Sequence, residues 1–249
     1  MTPEETRARL LYRDGLMLIL DKPAGVAVHR GPKGGPSLED DFEALRFGLP
    51  RKPALAHRLD RETAGCLVLG RHHKALEKLG LLFKQGKIAK IYWAIVAGSP
   101  AAESGAIDLA LGRLDPRRGW WMRVDPKGQP ALTLWRVRGR GVWRRAPVAW
   151  LELEPRTGRT HQLRVHCAAQ GWPILGDAIY GERADVPLQL LARKVVVPLP
   201  KGKPPIEVEA PAPPHMREAL AACGFAGEPP RGGTSGELLG EKEKSAAAD

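Results

Sequence analysis

The first sustained apolar run is Leu16-Met17-Leu18-Ile19-Leu20, with no polar alternation, which reads as a strand buried on both faces. Asp21-Lys22-Pro23-Ala24-Gly25 stops it, because Pro23 has no N–H to donate and Gly25 is free to turn. Val26 to His29 is apolar enough to resume the strand, and residues 31–37 then form a basic loop expected to be mobile. A short helix is predicted over 38–47, with Ser37 as N-cap and Asp40 placed to return a capping bond. Cys66 to Gly70 is a second apolar strand. Leu76, Leu79, Leu82 and Phe83 then recur at helical spacing, predicting an amphipathic helix over 72–85 that Gly86 closes.

Residues 88–97 return to an unbroken apolar run and predict a buried strand. Further strands are predicted at 131–138 and 147–154, with turns at 115–119 and 125–130. A helix is expected over 161–170, with Thr160 as N-cap, Gly171 just past its end and Pro173 beyond. Two strands around a turn at 200–205 and a short helix at 214–222 follow. Strands outnumber helices and adjoin one another in sequence. That order predicts an α+β fold with a mixed, largely antiparallel central sheet flanked by helices and loops. Residues 1–225 are read as one domain, and 226–249, rich in Gly, Pro, Glu, Lys and Ala, as a disordered tail.

Charge narrows the class of partner. The 249 residues carry 39 Lys and Arg against 28 Asp and Glu, a net charge of +11. Such a surplus suits a polyanion such as nucleic acid. Cys66, Cys167 and Cys223 are odd in number and widely separated, so neither a disulfide framework nor a CxxC metal site is indicated, and a cytoplasmic location fits. The N-terminal residues hold no signal-like apolar segment, and the 16–20 run is too short to span a bilayer.

Two clusters concentrate the chemistry. In Ala56-His57-Arg58-Leu59-Asp60-Arg61-Glu62-Thr63-Ala64-Gly65, an acid stands between two arginines with a histidine three residues before it. Flanking cations favour a carboxylate's charged form, and a charged carboxylate in a cleft serves as nucleophile or base. Read alone, the same residues fit an ion pair that only holds a loop more readily, since ion-pair networks are common. The second cluster runs from Arg156 to His166 and includes Arg159, Thr160, His161 and Arg164. A helix start there suits an anion, and His161 and Arg164 share a helix face. His161 and His166 are five apart, on different faces, so no metal site is read from them.

Five segments, in order, resemble the RluA-type pseudouridine synthases. They are DKPAGVAVHRG from Asp21, HRLDRETAG from His57, Lys90-Ile91-Tyr92, the block RTGRTHQLRVHCAAQGWPILGDAIYG from Arg156, and LQLLA from Leu188. The resemblance implies a fold of that family and an RNA pseudouridine synthase acting on ribosomal or transfer RNA, with no cofactor and no metal. It implies that Asp60 acts on the ribose of a flipped-out uridine, that Tyr92 lies against the base, and that Arg164, or failing it Arg159, pairs with Asp60. Arg58 would fill the gap left by the flipped nucleotide, with His57, Arg61, Arg159, His161 and Lys22 as further RNA contacts. A base must leave its stack to be cut from its sugar, so a stacking aromatic and a space-filling arginine suit that step. The segment 113–123, where arginines interleave with Trp120 and Trp121, is a further expected RNA contact.

The departures from that family's pattern are Ala64 and Cys66 in place of Ser and Leu, and Leu191 in place of His. The first two are read as packing changes. The third is read as the loss of a polar group near the site. Only about fifteen residues precede the first strand, so an N-terminal S4-type domain is not expected, and binding as a monomer is.

Overall fold

The strands of the central sheet are apolar on both faces because both faces are covered, which the alternation of side chains makes explicit. Met17, Ile19, Cys66, Val68, Trp93 and Ile95 pack on one side, while Leu18, Leu20, Leu67, Leu69, Ala94 and Val96 pack on the other. The computed structural model describes residues 2–31, 34–115, 120–182, 185–198 and 202–228.

The chain begins with a helix the sequence reading did not anticipate, α1 (Pro3–Ala8), capped reciprocally by Thr2 and Glu5. Strands β1 (Leu10–Arg13) and β2 (Met17–Lys22) follow, then a 3-10 helix (Leu38–Leu45), β3 (Ala54–Leu55) and β4 (Ala64–Gly70). After α2 (His73–Lys84) come β5 (Ala89–Ala97), β6 (Ser104–Asp108), β7 (Leu111–Arg113), β8 (Met122–Val124), β9 (Leu132–Trp143) and β10 (Ala146–Pro155). The chain closes with α3 (Gln162–Ala169), β11 (Leu190–Val197), β12 (Ile206–Glu209) and α4 (Pro214–Ala222). No helix among the described residues is long and apolar enough to cross a membrane.

The ten-stranded sheet runs β1-β2-β4-β11-β5-β10-β9-β6, with β12 beside β11 and β3 beside β4. Its pairings are antiparallel except β4 with β11, where Ala64 and Gly65 align with Leu191 and Ala192. The predicted α+β class with a mixed, largely antiparallel sheet is therefore what the chain adopts. Strand β11, late in the sequence, lies between β4 and β5. Gly65 makes that close approach possible: it has φ 108°, and a Cβ there would lie 2.3 Å from the carbonyl oxygen of Ala192.

Four expectations change. Val26–His29 is not a strand, because the Lys22 ammonium takes the carbonyls of Pro23 and Val26, and the chain folds around it. The 38–47 helix is a 3-10 helix in which Asp40 accepts the Ser37 N–H at 2.9 Å. The tail does not start at 226, because Glu228 accepts bonds from Arg193 and from the Ala212 N–H, at 2.5 and 2.7 Å. The rest of that tail, the 115–119 turn except Asp115, and parts of the 31–37 loop and the 200–205 turn lie outside the described residues. The fourth change, the start of α3, concerns the site itself.

Candidate active site

The loop from Ala56 to Thr63 carries Asp60 to the start of β4 and is tied down at several points. The Thr63 N–H donates to the Asp60 carbonyl at 3.1 Å, closing a turn. From β4, the Val68 N–H donates to His57 Nε2 at 3.0 Å, and the His57 ring stacks on Phe83 of α2 with centroids 4.4 Å apart. Beneath the loop lies Lys22, 0% exposed, donating to the carbonyls of Pro23, Val26 and Arg61 at 2.8, 2.8 and 2.9 Å. The Arg61 Nε donates to the Gly25 carbonyl at 2.9 Å, while most of its side chain stays in solvent.

Two expected RNA contacts are thereby corrected. Three carbonyls match the three hydrogens of an ammonium, so Lys22 is a buried brace between the β2 turn and the Asp60 loop. Burial opposes its charge and brings its pKa down to about 7, although Glu62 and Asp60 pull the other way. His57 is a neutral wedge: burial, aided by the charge of Lys90, brings its pKa down to about 3. Both residues shape the loop from within. Arg58 is exposed beside Asp60, where a flanking cation is open to a ligand.

The opposite wall is the start of α3. The helix begins at Gln162, not at a Thr160 cap, and His161 holds the cap position with φ 50° and ψ 21°. Gln162 is the reason. Its Oε1 accepts from the Thr157 hydroxyl and the Arg159 N–H, and its amide donates to Leu132 and Thr133 of β9. This buried side chain fixes the preceding loop to the sheet and leaves His161 to make the turn. Arg159 Nε donates to the Pro130 carbonyl at 3.0 Å, so Arg159 is not the partner of Asp60.

His161 and Arg164 are. His161 Nε2 lies 3.8 Å and Arg164 Nη1 3.6 Å from Asp60 Oδ2. The Asp60 side chain is 30% exposed, whereas His161 and Arg164 are at 5% and 6%. Burial lowers the pKa of His161 despite the attraction of Asp60, so its imidazole is neutral. Arg164 is itself clamped. Its Nε and Nη2 donate to the two oxygens of Asp177, each at 2.7 Å, a bidentate pair out of solvent. Burial works against the charges of both, but their mutual hydrogen bonds outweigh it, raising the pKa of Arg164 and lowering that of Asp177. Asp177 also accepts the N–H groups of Ile179 and Tyr180.

Asp177 was not singled out from the sequence, although it lies inside the block from Arg156. Tyr180 was also missed. Its hydroxyl accepts the Met122 N–H at 2.9 Å and lies 2.7 Å from His161 Nδ1, linking the β7–β8 hairpin to the site. The described ends of the 113–123 segment lie at that hairpin, and Trp120 is 61% exposed.

Tyr92 projects from β5, opposite Leu153 of β10, and is half-buried between two apolar clusters. Burial first, then the charge of Asp60, raises the pKa of its phenol, so the phenol is neutral and within electrostatic reach of Asp60. The departures from the family pattern are apolar. Ala64 and Cys66 are each 1% exposed in the core, and burial pushes the Cys66 thiol up to about 12. Leu191, 0% exposed, belongs to the same cluster and is the register partner of Ala64, so it lines the core and not the cleft.

The arrangement is a partly exposed carboxylate walled by a neutral imidazole and a clamped arginine, with a neutral phenol within electrostatic reach, a combination suited to acid–base or nucleophilic chemistry. The sequence pattern of the RNA pseudouridylate synthases matches residues 16–169. An uncharacterized RNA pseudouridine synthase of Zymomonas mobilis is 41% identical over 221 residues, covering 87% of this chain and 97% of that protein. The ribosomal large subunit pseudouridine synthase C of Vibrio cholerae is 34% identical over 223 residues, covering 85% and 68%. Among solved structures, human RNA pseudouridylate synthase domain containing 4 superposes with a TM-score of 0.74 at 25% identity, covering 88% and 94% of the two chains. The chain belongs to the RNA pseudouridylate synthase family, and is an isomerase that converts uridine in RNA to pseudouridine.

Proposed function

We propose that this enzyme modifies uridines in structured ribosomal or transfer RNA, working as a monomer, and that Asp60 is its catalytic residue. The observation that carries the reading is the convergence of Asp60 with His161 and Arg164, about a hundred residues later in the sequence, with Tyr92 within reach of the Asp60 charge.

In this reading the target uridine leaves its stack and enters the cleft, and exposed Arg58 takes its place in the RNA. The Asp60 carboxylate attacks C1′ of the ribose or removes the C2′ proton, and the C1′–N1 bond breaks with its electron pair on the uracil. The uracil turns, and C5 bonds to C1′ as the Asp60–C1′ bond breaks with its electron pair returning to the carboxylate or, by the second route, as Asp60 returns the proton to C2′. The C5 proton then departs, and N1 gains one. Tyr92, a neutral phenol, packs against the base and takes up a proton only while passing its own on. Arg164 offsets the charge of Asp60 from a position fixed by Asp177. Arg58, Arg61 and Arg159 are the rim contacts to phosphate, together with the Trp120 end of the β7–β8 hairpin.

Asp60→Asn tests the reading with RNA tritiated at uracil C5. The variant is expected to bind RNA as the parent does and release no tritium. Undiminished release would sink the assignment.

A further inference from the structure

Outside the cleft, the most unusual backbone among the described residues is the tip of the β9–β10 hairpin. Trp143 pairs directly with Ala146, so the turn has two residues, Arg144 and Arg145, with φ of 48° and 66°. Positive φ at both central positions is the type I′ turn, for which Asn-Gly is the favoured pair. A side chain in the left-handed region crowds its own carbonyl, so two arginines there are strained where Asn-Gly is not. Both arginines are exposed, and Arg144 lies over the Trp143 ring at 4.6 Å, which sets its direction.

The surroundings share that character. From Leu132 to Leu151 the chain has five arginines and no acid. Arg140 is consumed in bracing the sheet, bonded to Ser99, Pro100, Ala102 and Glu103. Arg138 is exposed on the same strand, and Val142 is 67% exposed beside the tip. Tyr92 is level with Leu153, and Arg145 lies eight residues up β10 from it, roughly 27 Å away at about 3.4 Å per residue. The tip therefore cannot reach the flipped uridine. It is an exposed positive charge held away from the chemistry.

We propose that the Arg144-Arg145 turn is a second RNA contact, which grips backbone phosphates of a folded substrate away from the uridine being modified. The proposal rests on RNA being the substrate. Phosphate contacts give affinity and register without reading sequence. A segment that bears turn strain to hold two guanidinium groups outward fits that role.

The test compares the full-length parent, Arg144→Asn/Arg145→Gly and Arg144→Lys/Arg145→Lys. Each is titrated over a salt series against a transcribed stem-loop fragment of large-subunit ribosomal RNA and against single-stranded hexauridylate. The Asn-Gly variant should melt at or above the parent temperature. Its slope of log affinity against log salt on the stem-loop should fall by about 1.5 to 2, so the loss between 50 and 200 mM salt shrinks roughly tenfold. Hexauridylate binding should not change, and the Lys-Lys variant should regain the slope, because phosphate accepts any cation. An unchanged slope on the stem-loop overturns the proposal, as does equal loss on both RNAs. A change confined to binding of anionic lipid vesicles overturns it too, making the tip a membrane contact. Tritium release by the parent is measured alongside, so a failure of the catalytic assignment registers separately from a failure of this contact.

Discussion

Replacing Asp177 with Asn probes the clamp behind the Asp60 loop. The substitution keeps the size of the side chain, removes its charge, and preserves one of the two bonds made to Arg164 at 2.7 Å. Arg164 and Asp177 are 6% and 1% exposed, so solvent cannot replace the lost partner. Breaking a buried pair from one side costs about 3–5 kcal/mol, and the surviving bond argues for about 3. For a domain of this size each kcal/mol moves the melting temperature by about 2–4 °C, so a fall of roughly 6 to 12 °C is expected. A purely structural role stops there. The positioning role adds a second readout, because Arg164 Nη1 lies 3.6 Å from Asp60 and is held there by Asp177. At a temperature well below the melting point, kcat for tritium release should fall at least about tenfold with KM for RNA little changed, as for a group that acts mainly in the transition state. Asp177→Glu, which restores the charge, should recover part of both. A variant that melts within about 2 °C of the parent and keeps its kcat would refute the reasoning, for then neither the buried charge nor the position of Arg164 matters.

Three further outcomes follow from other contacts. Gly65→Ala puts a Cβ 2.3 Å from the Ala192 carbonyl at φ 108°, and should lower the unfolding free energy from urea titration by about 3 kcal/mol or more; an unchanged midpoint contradicts it. Ala64→Ser and Leu191→His each place a polar group in the core and should each cost about 1–3 kcal/mol, whereas the double variant, with the two as register partners, should recover at least about 0.5 kcal/mol in a double-mutant cycle. Additive costs there would mean that the two positions do not meet. For Lys22 the folded pKa, about 7, lies below the ordinary 10.5, so the unfolded chain holds the proton more tightly. The penalty for a buried ammonium is then full below pH 7 and fades as pH rises toward 10.5, so parent stability should climb over that range and that of Lys22→Met should climb less. Parallel curves would show that the three carbonyls offset burial completely.

Much of the fold was legible because strand and helix periods are local. The runs at 16–20, 66–70 and 88–97 announced strands, and the ten residues from Ala56 form the loop that the structure places against His161 and Arg164. Charge without position misled. Lys22 and His57 look like RNA contacts in sequence, and only the fold shows that one lies under the loop and the other behind it. Asp177 went unnoticed for the converse reason: an acid in an apolar setting has no periodic signature, and its partner Arg164 comes thirteen residues earlier through a helix and a turn. The α1 helix was readable, since Thr2, Pro3 and Glu5 form a capping signature at its start. Leu191 was misjudged because a position named by a family pattern need not face the cleft.

The place of β11 sets the order in which the enzyme can be made. A strand that emerges from the ribosome after residue 190 must enter between two that emerged before residue 98. Until then β4 and β5 each offer an open edge, the kind of surface that pairs with whatever strand is nearest. Asp60 and Tyr92 are translated early, but the walls that complete their cleft, His161, Arg164 and Asp177, arrive just ahead of the strand that closes the sheet. A nascent chain stalled before β11 should therefore need a chaperone and have no isomerase activity. Two fragments cut between β10 and the loop before α3 should regain activity only when mixed, because neither holds the whole site.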